Sequence, residues 1–111
     1  MEPDKKTIFE ASNAVSQLVS GIMTNLWNDH EAKYGAGSAD SIMLNAAGNL
    51  ICQAVARAAG TARGKPYSAE ESLPIRNEVK KAIGDIIQRV LTKSAGGDAD
   101  YTFERQDKPP S

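Results

Sequence analysis

Ala11-Ser-Asn-Ala-Val-Ser-Gln-Leu-Val-Ser-Gly-Ile-Met-Thr-Asn-Leu-Trp-Asn28 is the stretch that decides how this chain is read. Ala11, Val15, Leu18, Ile22 and Leu26 recur every three or four residues, with Val19, Met23 and Trp27 beside them. That is the period of an amphipathic α-helix. None of these eighteen residues is charged, over about five helical turns. The polar positions are held instead by Ser12, Asn13, Ser16, Gln17, Ser20, Thr24 and Asn25. A helix face meant for water usually carries Lys, Glu or Arg, which suit both solvent and the helix.

Working outward, Thr7 and Glu10 have the spacing of a capping box, so a helix is expected from about Ile8 to about Lys33. Gly35 and Gly37 are expected to end it. A second helix is expected over about 41–63, capped by Ser38 or Asp40 and broken by Gly60, Gly64 and Pro66. Its residues 41–56 again contain no charge, and apolar side chains cover more than half its circumference. A third is expected from near Ser72 to near Ser94, with Pro74 in its first turn and a core stripe of Ile75, Val79, Ile83, Ile86 and Val90. Ser68 and Glu71 offer a second capping box, and with it an alternative start near Ala69. Residues 96–111 are polar and acidic with two prolines near the end; they read as a mostly disordered tail, with Tyr101 and Phe103 the exception that could dock on a surface.

The fold expected is therefore all-α: an N-terminal extension over 1–7, one helical domain over 8–95 built as a helical hairpin plus a third helix, and the tail. At 111 residues one domain is the natural count. Net charge is −1, so no bulk electrostatic pull toward nucleic acid or anionic lipid operates. With a single cysteine, Cys52, no disulfide can form within the chain. No apolar run reaches membrane-spanning length and the first residues lack a signal-peptide pattern, so a cytoplasmic protein is expected.

Two rows of small residues at four-residue spacing sharpen the expectation. Ser12, Ser16, Ser20 and Thr24 form one; Gly48, Cys52, Ala56, Gly60 and Gly64 form the other. Such rows let helix backbones approach closely. Together with the uncharged faces they predict a helical-bundle homodimer, with Ser16, Ser20, Gly48, Cys52 and Ala56 at the interface. Asn45, Asn49 and Gln53 add a carboxamide line on the second helix, read as a solvent stripe or as a polar seam that sets register.

Catalytic and metal chemistries are thinly supported. Trp27, His30 and Tyr34 share one helix face and form the candidate ligand or partner site; the plainer reading makes them an extension of the core stripe. His30 is the one histidine and Cys52 the one cysteine, too few for a zinc site, and no metal or cofactor is expected. Gly60 to Pro66 is one residue short of a phosphate-binding Walker loop and has proline in place of its hydroxyl residue. Residues 57–93 carry eight cations against four anions, a net +4, and Arg76, Lys80 and Lys81 are the candidates for a nucleic-acid face. The leading expectation is a non-catalytic interaction or regulatory protein, an adaptor, inhibitor or accessory subunit, that docks by its helix faces onto a protein partner. A small-ligand binder or enzyme, and a weak nucleic-acid binder, are the alternatives.

Overall fold

The computed structural model describes residues 2–95 and contains three α-helices: α1 Lys5–Tyr34, α2 Ala36–Arg63 and α3 Leu73–Ala95. The chain divides into two compact units, Met1–Ala39 and Asp40–Ser111, each described by itself below. The tail, with Tyr101 and Phe103, lies outside the described residues.

In the first unit α1 begins three residues earlier than the sequence suggested. Asp4, not Thr7, is its N-cap: Asp4 is extended (φ −76°, ψ 175°), and its carboxylate accepts the Thr7 amide at 2.9 Å. Aspartate is among the strongest N-caps, and it places Thr7 at the third helical position, where the amide needs an acceptor. The Thr7–Glu10 box is therefore not used; Glu10 instead stands 4.0 Å from Lys6, a pair too exposed to matter for stability. At the other end Gly35 takes a positive φ of 94° and donates its amide to the Glu31 carbonyl at 2.8 Å. Its own carbonyl then accepts the Ala39 amide at 3.0 Å, so a single residue closes α1 and opens α2. Gly37, Ser38 and Asp40 lie inside α2 and neither stop α1 nor cap α2.

In the second unit α2 and α3 meet along their smallest residues. Gly48, Cys52 and Gly60 of α2 are buried, with Ala56 half-buried between them. Facing them are Ser72, just before α3, and Lys80 and Gly84 of α3, all buried, with Arg76 half-buried. Cys52 is fully buried, and its Sγ donates to the Arg76 carbonyl oxygen at 3.6 Å. A side chain of one helix touching the backbone of the next requires close approach, which is what a small-residue row permits. The expected α3 stripe is only partly used: Ile75, Val79 and Ile83 are half-buried, whereas Ile86 and Val90 are exposed.

The connection between α2 and α3 is tied down by one side chain. Arg63 Nε donates to the Lys65 carbonyl (2.8 Å), and a terminal amine of the same guanidinium donates to the Pro66 carbonyl (2.9 Å). The guanidinium lies over the Tyr67 ring, 3.4 Å from its centroid, and pairs with Glu71 at 3.4 Å. The Ser68–Glu71 capping box does form, each amide meeting the other's side-chain oxygen at 3.1 Å. It closes a turn over 69–72, and α3 proper starts at Leu73 with Pro74 in its first turn. Both starts read from the sequence are thus partly realised, one as a turn and one as the helix.

Candidate interaction surfaces

No residue of α1 is buried. Within the first unit no second long helix packs on α1, and its large apolar side chains are exposed. Ile8, Val15, Leu18, Val19, Ile22 and Leu26 are between 40% and 72% exposed, Leu18 the most. A shallow groove of about 600 Å³ follows this helix, lined by two parallel four-spaced rows. One row is Val15, Val19, Met23 and Trp27; the other is Ser16, Ser20, Thr24 and Asn28. A second concavity continues the first toward the N-terminus past Thr7, Ile8 and Ala11. A ridge of large side chains therefore lies against a ridge of small ones over most of the helix.

Part of the small ridge is less polar than its composition implies. Ser12 Oγ donates to the Ile8 carbonyl at 2.7 Å, and Thr24 Oγ1 to the Ser20 carbonyl at 2.9 Å. Those hydroxyls are satisfied inside their own helix and do not have to keep water.

The three residues singled out as a ligand or partner face fall into two groups. His30 and Tyr34 stack with ring centroids 6.0 Å apart, while Trp27 lines the α1 groove. His30 Nδ1 lies 2.6 Å from the Leu26 carbonyl, an acceptor only, so the proton sits on Nδ1 and ties the ring to its own helix. Lys33 covers Tyr34 at 5.2 Å from the ring centroid. The two rings form a stacked, partly exposed aromatic edge at the end of α1. Among the described residues no group of three metal-binding side chains exists.

Of the residues expected at an oligomer interface, Ser16 and Ser20 are exposed on the α1 groove, whereas Cys52 is occupied by α3 of the same chain. Of the nucleic-acid candidates, Lys80 is only 6% exposed and already engaged, Lys81 is exposed and Arg76 is half-buried. Arg76 turns into a concavity beside α2, a grouping that sequence spacing along α3 alone could not show because the other contributors lie on α2 and the connection. In the second unit Asn45 donates to the Ser41 carbonyl at 2.6 Å. Asn49 Oδ1 and Asn77 Oδ1 are buried without a hydrogen-bond partner among the described residues.

No helix among the described residues is long and apolar enough to cross a membrane. Comparison with known proteins adds nothing to these observations, since no protein-family model, no curated protein and no solved structure matches the chain.

Proposed function

We propose that this chain is a non-catalytic, cytoplasmic interaction protein, of the adaptor or accessory-subunit kind, that works as a homodimer joined through α1. The observation that carries the reading is the outward apolar half of α1 beside an uncharged ridge of small residues. Six aliphatic side chains at these exposures retain roughly 5–10 kcal/mol of unrealised burial, taking about 1.5–3 kcal/mol for each complete one. That is comparable to the whole stability of a typical domain, roughly 5–15 kcal/mol. A two-fold interface needs a patch that is its own complement. A large row next to a small row meets that need, because the large row of one copy seats against the small row of the other. A face without charge also selects no oppositely charged partner, which favours a second copy over an acidic or basic protein.

Light scattering on the size-separated chain tests this. The expected mass at micromolar concentration is twice that of one chain, and Leu18→Glu returns it to one. A wild-type chain of single mass would refute the dimer. In the dimer, the aromatic edge at His30 and Tyr34 stands at the rim of the paired helices, open to a further protein.

A further inference from the structure

We propose that the second unit holds an anion site for an organic phosphate, in the concavity of about 1010 Å³ between α2, the connection and the start of α3. Arg57, Lys65 and Arg76 line it, and no acidic residue does among the described residues. None of the three has a side-chain hydrogen bond or ion pair among the described residues, in contrast to Arg63, whose guanidinium is committed to two carbonyls, Tyr67 and Glu71. Glu71, which follows the connection, is spent on Arg63 and on the Ser68 amide.

Arg76 is the informative member. It is half-buried, and no anion pairs with it among the described residues. Three like charges around one hollow also repel each other, a cost that a bound polyanion offsets. Two of the three are arginines, whose forked donors match tetrahedral oxyanions in pairs. The backbone behind them is held still. Gly60 lies so close to the connection that a Cβ there would stand 3.2 Å from Pro66 Cα and 3.3 Å from the Lys65 carbonyl oxygen. Leu50 and Ala54 extend the lining on the apolar side. Phosphate oxygens on the cations with a hydrophobic body against Leu50 and Ala54 is the ligand chemistry this surface fits. The site lies wholly in 50–76, within the second unit.

Titration calorimetry on the full chain at about 150 mM salt, where exposed charges are screened beyond about 8 Å, tests the proposal with ATP and inorganic pyrophosphate as probes. Both are expected to bind, ATP more tightly. Arg57→Ala and Arg76→Gln are each expected to weaken binding roughly tenfold, the loss of one charge-assisted contact. Lys81→Ala, at a cation outside the hollow, is expected to leave it unchanged. Amide resonances of Gly60, Thr61 and Gly64 should shift on titration while those of α1 stay still. Arg57 is exposed, so its variant reads the site even if Arg76→Gln fails to fold. No heat with either probe, equal weakening by Lys81→Ala, or preference for duplex DNA at equal phosphate concentration would overturn the assignment. None of these variants is expected to change the chain's mass in solution, so failure here and failure of the dimer are separately visible.

Discussion

Leu18→Ala puts the α1 surface to its most direct quantitative test. Leu18 is 72% exposed in the single chain, so nearly three-quarters of its burial remains to be gained. Complete burial of a leucine side chain contributes about 1.5–3 kcal/mol, which leaves roughly 1–2 kcal/mol for a partner to recover. A two-fold dimer counts the residue twice, so truncation costs about 2–4 kcal/mol of association. At about 1.4 kcal/mol per decade that weakens the dimer roughly 30- to 700-fold. The separate chain should be unharmed, because alanine is at least as good a helix former as leucine. Sedimentation equilibrium over a range of concentrations reads the dissociation constant, and thermal unfolding at two concentrations reads the linkage. A dissociation constant within threefold of wild type would refute the reasoning. A lower melting temperature that ignores protein concentration would also refute it, and would show that α1 is covered by its own chain.

Glycine substitutions should divide sharply by position. Gly21 is mid-helix with nothing within 4 Å of an added Cβ, so Gly21→Ala should raise stability by about 0.5–1 kcal/mol. Gly60→Ala drives a methyl against backbone atoms of Lys65 and Pro66 and should cost about 1–3 kcal/mol, measured by urea unfolding. Two carboxylates should set part of the acid limb of stability. The Thr7 amide holds Asp4 below its ordinary value of 3.8. The Ser68 amide, then the Ser68 hydroxyl and behind them Arg63, hold Glu71 below its ordinary 4.5. A depressed folded value means the stabilisation is present above the unfolded value and lost as pH falls through the folded one. Melting temperature should therefore drop below about pH 4.5, and the Asp4→Asn, Glu71→Gln double variant should show a shallower drop. An unchanged acid limb in that variant would assign the loss to other groups.

The existence and order of the three helices were legible because a 3.6-residue period needs only local sequence. Helix ends were less so. Asp4 and Thr7 are both competent caps, and the choice depends on which amide is left without an acceptor, a matter of backbone geometry. Gly35 was read correctly as a stop, but Gly37 was not distinguishable from it, since either glycine can take the left-handed conformation that only Gly35 adopts. The small-residue row on α2 announced a close helix contact; that α3 of the same chain takes up Cys52 could not be read, since spacing specifies closeness and not the identity of the neighbour. The basic hollow was hidden for a different reason. Arg57, Lys65 and Arg76 are spread over twenty residues, and only the folding back of the connection by Arg63 brings them to one surface.

Cys52 gives this molecule a built-in clock. The chain has one thiol, it is fully buried, and it rests on the backbone of α3. A thiol reagent reaches it only when α2 and α3 part. Where reclosing outruns labelling, the rate of modification measures the fraction of time the seam stands open, as amide exchange does for a backbone hydrogen. The same trace followed with α1 variants, or with phosphate compounds added, reports whether an event elsewhere on the chain is felt at the α2·α3 seam.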